Sequence, residues 1–416
     1  MAEYENALIK SLREQTDGKD ESQFEGNASL VSYKTNFPQL DYYLGYNVNV
    51  YDDNDKIVDR YPSLGITAGS YVTFIGKPST SKTTTAVQIA ANIVRPFENG
   101  SVIHYDLEEA QNYSRIQKLT RFKMTEMRGG KYILRQKKHN IGDIKKSIVK
   151  LAFEKINNAD KYSYDSGCLN EFGEKIIMPV PTVVIIDSIA ALSTGGDEND
   201  KKTAKKLEEI TSQTDRMRLT AEIGRFYTEL LPLCRVANII IISINQIKTN
   251  PQMGFLPSAS EILYLKQDET LPGGKAPQFL ASILIKFVAV GAQKYTSEDD
   301  GFDGFGVRLE IIKSRVSQAG QYVNLVYDKN NGIDSLRSSI LYAKELGLTG
   351  GNKNSFYFTS HPDQKFKLKT VHEEFKERRE LYKVMYSNII PVLEKRLTTI
   401  EESDLDVLEE ESDYSY

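Results

Sequence analysis

At 416 residues the chain is too long for one small core and suits a large α/β domain with smaller flanking pieces. Its formal net charge of −4 excludes a uniformly basic nucleic-acid coat, yet residues 401–416 hold eight Asp/Glu and no Lys/Arg, so removing them leaves +4 on a mildly basic body. Cys168 and Cys234 are too few and too far apart for a disulfide framework or a zinc site; with no charged-then-apolar leader and no run of 18 apolar residues, the expectation is a soluble cytoplasmic protein without a membrane partner.

In chain order, residues 1–45 form an N-terminal segment, with a helical pattern at Ala7, Leu8, Ile9 and Leu12, that reads as a docking arm or a disordered leader. From about residue 60, β-rich runs alternate with helical periodicities. The pattern predicts strands at 71–75, 101–106, 131–135, 182–187 and 238–244, with helices from 83 and from 110, at 141–156 and at 219–236. Such alternation means a mostly parallel, twisted sheet with helices on both faces. The stretch 158–181, rich in Asn, Asp, Ser, Gly and Pro, reads as an inserted surface loop. Strands predicted at Ser282 to Val290, Val307 to Ile312 and Tyr322 to Tyr327 follow without long helices and imply an antiparallel extension. The core is expected over 46–348, followed by a small C-terminal region, 349–416, with a charged helical pattern from His372 to Leu397 and the acidic tail.

The most informative stretch is 71–83. A β-branched run turns through a short loop into a helix start at Lys82 and Thr83, and the spacing fits the phosphate-loop pattern G-x-x-x-x-G-K-S/T at Gly76, Lys82 and Thr83, with Ser79, Thr80 and Thr84 in the same turn. Backbone N–H groups there would face the phosphates of a nucleoside triphosphate, Lys82 would reach the β- and γ-phosphates, and the Thr83 hydroxyl would sit on Mg²⁺. The second glycine of the pattern is Ser81, a steric cost if the loop needs positive φ there.

Other candidates come from strand ends. Asp187 closes an apolar strand at its C-terminal edge, where ligands bind in open α/β sheets; behind a phosphate loop it reads as a Mg²⁺ carboxylate in preference to a helix cap. Asp106, Glu108 and Glu109 end another strand, and a carboxylate there would orient the attacking water; the alternative is an acidic cluster favoured by the dipole of the next helix. His104, mid-strand among apolar residues, reads as a core histidine. Asn245 and Gln246 place amides at the same sheet edge, able to touch a γ-phosphate. Residues 247–278, rich in Pro and Gly, form a long irregular segment of the functional-loop kind whose lysines are balanced by acids.

Six segments in this order resemble the RecA-type recombinases, most closely the phage UvsX branch: Gly76 to Thr84, Tyr105 to Glu108, Val184 to Leu192, Ser243 to Lys248, Gly273 to Ala276 with Phe279, Ala281 and Ser282, and Glu310 to Arg315. The resemblance spans Val31 to Leu348 and implies a RecA-like P-loop NTPase core. It makes Glu108 the glutamate that activates the hydrolytic water, Tyr113 the aromatic that stacks on adenine, and Gln246 the glutamine coupling the γ-phosphate to the loop behind it. Lys313 and Arg315 become cations that enter a neighbouring subunit's ATP site, as an arginine finger does. Two DNA-binding loops are implied, one around Arg216, Met217 and Arg218 and one at 247–278, with Lys248, Gly273, Gly274 and Lys275 on DNA. Met217 is either a wedge between bases or, as a Met at helical spacing more often is, a core residue. The chain departs from the family at Ser81, which the UvsX branch tolerates, and at Gln278, where bacterial RecA has lysine.

The implied activity is ATP-dependent homologous pairing and strand exchange by a helical filament on single-stranded DNA, with homologous duplex DNA, a loader or mediator and a single-strand-binding protein as partners, in the cytoplasm of a phage host. A hexameric DNA helicase on the same core would share the P-loop, Glu108 and Asp187. The Gly273-Gly274 loop with Lys313 and Arg315 favours the recombinase. Ser81 keeps a non-enzymatic DNA-binding filament in view. The acidic tail reads either as an electrostatic competitor for duplex DNA or as a solvated tail.

Overall fold

The most apolar runs become the centre of a sheet. The computed structural model describes residues 28, 30–52, 54, 56–136, 139–193, 213–249, 264–266, 269–290 and 303–397, without the side chains of 213–216. Most of the expected N-terminal segment, the Arg216 side chain, much of the 247–278 segment and the acidic tail therefore lie outside the described residues.

The elements begin with β1 (Ser32–Tyr33), α1 (Pro38–Leu44), β2 (Tyr46–Tyr51), β3 (Ile57–Ser63), β4 (Ile66–Thr67), β5 (Tyr71–Gly76), α2 (Lys82–Val94), β6 (Ser101–Asp106), α3 (Tyr113–Thr120), α4 (Met124–Arg128) and β7 (Tyr132–Arg135). There follow α5 (Ile141–Asn157), α6 (Ala159–Tyr162), β8 (Ser163–Leu169), β9 (Lys175–Pro179), β10 (Thr182–Asp187), α7 (Gln213–Val236), β11 (Ile239–Gln246), β12 (Lys248–Thr249), β13 (Glu269–Thr270) and α8 (Ala276–Leu280). The rest are β14 (Ile283–Ala289), β15 (Gly304–Ser314), β16 (Tyr322–Asp328), β17 (Gly332–Asp334), α9 (Ser335–Glu345), β18 (Thr349–Asn352), β19 (Ser355–Phe358), α10 (Val371–Glu377) and α11 (Glu380–Glu394).

The main sheet has nine strands in the order β17-β16-β15-β14-β5-β11-β10-β6-β7. From β14 to β7 all neighbours are parallel, and β15, β16 and β17 extend the sheet antiparallel, as expected. Every residue of β5 and β10 is buried, the mark of strands covered on both faces. Alternation assigns the layers: Val183 and Ile185 pack into the cluster containing Ala86, Ile89 and Ile93 of α2, whereas Val184 and Ile186 join Ile144 and Ile148 of α5 and Ile223, Tyr227 and Leu230 of α7. Helices thus cover both faces. Residues of the C-terminal region, including Phe356, Phe375, Met385 and Leu393, enter the same cluster as α2.

Three expectations need correction. Residues 158–181 are not an irregular loop: α6 leads into the antiparallel β8–β9 hairpin, whose turn is closed by Asn170 Oδ1 accepting from Phe172 N at 3.0 Å and Glu174 N at 2.8 Å. The helix expected from 110 starts at Tyr113, because Asn112 caps it by accepting from Arg115 N at 2.9 Å. The helix expected at 219 starts six residues earlier, at Gln213. Among the described residues no helix is long and apolar enough to cross a membrane.

Candidate active site

Strand β5 runs out at Gly76, where backbone approach leaves no room for a side chain: a Cβ would lie 2.6 Å from the Phe287 carbonyl oxygen of β14. The loop then winds through two non-glycine left-handed residues, Ser79 (φ 61°) and Ser81 (φ 66°), before α2 begins. The positive φ that would make a serine costly at position 81 is present. Because Ser81 is left-handed, its side chain does not cap α2, and the helix presents its N-terminal N–H groups and positive dipole end to the cleft, an arrangement suited to an anion. Lys82 folds back over the loop, its Nζ donating to the carbonyls of Gly76 at 3.0 Å and Lys77 at 2.6 Å and to Thr80 Oγ1 at 3.3 Å. Burial pushes this ammonium down to about 8, against the pull of Asp187 and Glu108.

Parallel register delivers the acids. Asp187 of β10 pairs with Asp106 of β6 and Ile244 of β11, so the C-terminal ends of three strands stand level beside α2. Thr83 Oγ1 donates to Asp187 Oδ2 at 2.7 Å. Burial raises the Asp187 carboxyl to about 7; the Thr83 bond opposes this and the charges of Glu108 and Asp106 add to it. Glu108 Oε1 accepts from Ser188 Oγ at 2.6 Å and from Gln246 Nε2 at 2.9 Å, so the glutamate, the β10 end and the β11 end are tied through one oxygen. His104 is fully buried and burial holds it down to about 4. It is a neutral core residue, with Nδ1 2.8 Å from the Tyr132 hydroxyl, and its 3.9 Å approach to Asp187 is no ion pair.

These groups surround a cleft of about 490 Å³. Of the expected site residues, Ser79 to Thr84, Glu108, Asp187 and Gln246 line it. Gly76 sits at its root. Tyr113 is not on the lining: it opens α3, is half-exposed, and its hydroxyl accepts from Leu134 N at 3.4 Å. The aromatic wall instead comes from Phe305 of β15 and Tyr327 of β16, tilted against each other with centroids 4.7 Å apart, beside Lys329. Arg115 steadies this wall, donating to the Tyr327 hydroxyl and the Lys329 carbonyl, each at 3.3 Å. No local motif marks these residues; the one available signal is the glycine pair around Phe305, since a Cβ on Gly304 would meet the Tyr327 carbonyl oxygen.

Lys313 and Arg315 do not reach this cleft. Lys313 pairs with Leu284, which lies level with Thr73, three residues before Gly76 and two strands away from β5, a separation of roughly 14 Å by strand geometry. Lys313 Nζ donates to the Phe279 carbonyl at 2.6 Å; Arg315 is exposed.

The other expected contact residues fall into two neighbouring segments. Met217 on α7 is 68% exposed, which removes it from the core, and Arg218 pairs with Glu222 at 3.2 Å. Gly273 and Gly274 are left-handed, and a Cβ on Gly274 would stand 2.4 Å from Thr220 Cγ2, so the turn before Lys275 and α8 lies against α7. Asn245 Nδ2 ties the end of β11 to this turn through the Pro272 carbonyl at 2.8 Å. Lys248 lies on the exposed β12, which pairs with β13; the buried Glu269 of β13 stands 3.5 Å from Lys77 of the loop after β5.

The donor set fits a nucleotide with a hard divalent cation: a hydroxyl and a carboxylate in contact, an uncapped helix start and a lysine whose present acceptors are only carbonyls and a hydroxyl. Among the described residues no three His, Cys, Asp or Glu converge as a metal cluster, so such an ion would complete its shell with phosphate and water. No family model and no curated protein matches the chain.

Proposed function

We propose that this chain is an ATP-dependent DNA recombinase of RecA type, closest to the phage UvsX branch, that forms filaments on single-stranded DNA and exchanges strands with homologous duplex. One observation carries the nucleotide part of this reading: Thr83 bonded to Asp187, and Glu108 bonded to Gln246, face the same cleft as the uncapped start of α2.

In this reading Lys82 turns from its carbonyl acceptors to the β- and γ-phosphates, and the N–H groups of the loop hold the remaining oxygens. Thr83 and Asp187 hold Mg²⁺, which neutralises phosphate charge. Glu108, aimed by Ser188 and Gln246, orients a water and takes its proton. Phe305 and Tyr327 offer the base an apolar wall; Tyr113, the partner implied by the resemblance, is not on the lining. Gln246 relays the state of the γ-phosphate to the segments around Lys248, Gly273, Gly274 and Lys275 and around Arg216, Met217 and Arg218, where single-stranded DNA binds. Lys313 and Arg315, remote from their own cleft, complete that of the next protomer.

ATPase assays with and without single-stranded DNA, followed by electron microscopy, test the proposal. DNA-stimulated hydrolysis on extended filaments is expected. Closed rings would favour the helicase, and filaments without turnover a binding protein. E108Q should lose about 100-fold or more in hydrolysis while still binding nucleotide; undiminished hydrolysis would remove Glu108 from its role.

A further inference from the structure

Glu108 lies in a stretch with no regular secondary structure between β6 and α3, and something must hold its carboxylate at the cleft. Two backbone contacts contribute, with Leu107 N donating to the Asp187 carbonyl at 2.7 Å and Glu109 N to the Asp106 carbonyl at 3.2 Å, and with Glu109 left-handed at φ 52°. Ser188 and Gln246 bond the carboxylate itself, and a further side chain restrains the backbone that carries it. Asp106 is fully buried; its Oδ1 accepts from Ala110 N at 3.2 Å, and its Oδ2 from Gln111 N at 2.8 Å and from Gln136 Nε2 at 3.0 Å. Gln136 also donates to the Gln111 carbonyl. The ring closed by these bonds runs from residue 106 to 111, and Glu108 is inside it.

We propose that Asp106, braced by Gln136, is a positioning residue that fixes the Glu108 carboxylate for water activation. The inference rests on the reading of Glu108 given above. Three N–H donors converge on two oxygens, a demand that a carboxylate meets and an amide does not: asparagine offers one acceptor oxygen and turns an NH₂ towards N–H groups. A carboxylate stands here although its charge adds to the upward push on Asp187. That electrostatic cost is offset by charge-assisted bonds that an uncharged group would not supply. Asp106 is not among the residues that line the cleft; it reaches the chemistry through the Glu108 segment and, as the neighbour of Asp187 across the strands, through its charge.

The test compares D106N, Q136L and E108Q, with D106N/E108Q as the double variant, by steady-state ATPase and by equilibrium binding of a fluorescent ATP analogue. D106N should lower kcat about tenfold or more and Q136L about threefold, with KM for ATP and analogue affinity within about twofold of wild type, because misaimed chemistry loses rate without losing binding. In the E108Q background D106N should add no further loss. An unchanged kcat in folded D106N, a matching loss of analogue affinity, or an additive double variant overturns the proposal. If D106N does not fold, an unchanged kcat in Q136L does so. A wild type without ATPase, or E108Q at full rate, would instead overturn the parent reading.

Discussion

The left-handed backbone of Ser81, with φ of 66° and a buried hydroxyl that finds no hydrogen-bond partner, is a local cost inside the turn between β5 and α2. Glycine would remove both the Cβ strain and the unpartnered hydroxyl, at some expense in unfolded-chain entropy, so S81G should raise the unfolding free energy by about 1 kcal/mol. Chemical denaturation measures this, and an equal or lower stability would mean that the serine contributes a contact outweighing its strain. At Gln246 the relevant quantity is coupling. Its amide reaches Glu108 at 2.9 Å while Asn245, its neighbour, holds the Pro272 carbonyl at 2.8 Å, so one strand end touches both the cleft and the glycine turn. Q246A should leave the affinity for nucleotide within about threefold of wild type, yet bring the ratio of single-stranded DNA affinities with and without ATP close to one, since coupling is a difference between two binding free energies. Fluorescence anisotropy of labelled oligonucleotide reads that ratio, and a ratio as large as wild type would remove Gln246 from the relay.

Helix α1 is anchored by a carboxylate buried for structure alone. Asp41 accepts from Thr35 N at 2.6 Å and Thr35 Oγ1 at 2.7 Å, and burial raises its carboxyl to about 7 despite both bonds. A folded-state value above the unfolded one means that the folded chain binds the extra proton between pH 4 and 7, so the stability from this group is present at low pH and lost as pH rises through 7. Comparing urea unfolding of wild type and D41N at pH 5 and pH 8, the wild type should lose about 2.5 kcal/mol more than the variant across that interval; parallel behaviour would show that Asp41 ionises normally. Nothing in the local sequence signals this buried acid. The elements that are legible share a physical reason: β5, β10 and β11 are buried on both faces and carry runs of apolar residues with few polar ones among them. The hairpins β2–β3 and β8–β9 are less legible, because β3 and β8 are largely exposed or half-exposed, mix Asp, Arg, Ser and Gly among their apolar residues and owe their shape to cross-strand pairing. The start of α3 is not legible for a related reason, since the bonds that hold 107–111 out of helix come from Asp106 and from Gln136, 25 or more residues further on.

At the scale of the molecule, the cleft was legible wherever a local motif carries it and illegible wherever distant strands meet. Ser79 to Thr84, Glu108, Asp187 and Gln246 line the cleft as single-segment signatures should, whereas Phe305, Tyr327 and Lys329 arrive only because β15 and β16 extend the sheet beyond β14. The same extension carries Lys313 and Arg315 to a level three residues short of Gly76, too far to act on the cleft of their own chain. If these cations serve a neighbour, each working site is divided between two copies: the cleft with Glu108 on one, Lys313 and Arg315 on the next. Such a head-to-tail contact makes inactive variants complementary. E108Q supplies sound cations and a dead cleft; K313A/R315A supplies a sound cleft and no cations. Random co-assembly of equal amounts should place a sound cleft against sound cations at about one junction in four, restoring about a quarter of wild-type ATPase from two preparations that are each inactive. The mixture should be measured on single-stranded DNA with total protein held constant, against each variant alone at the same concentration. Activity no higher than the sum of the separate variants would place the complete catalytic apparatus within one chain, and full activity of K313A/R315A alone would leave Lys313 and Arg315 without a role in turnover.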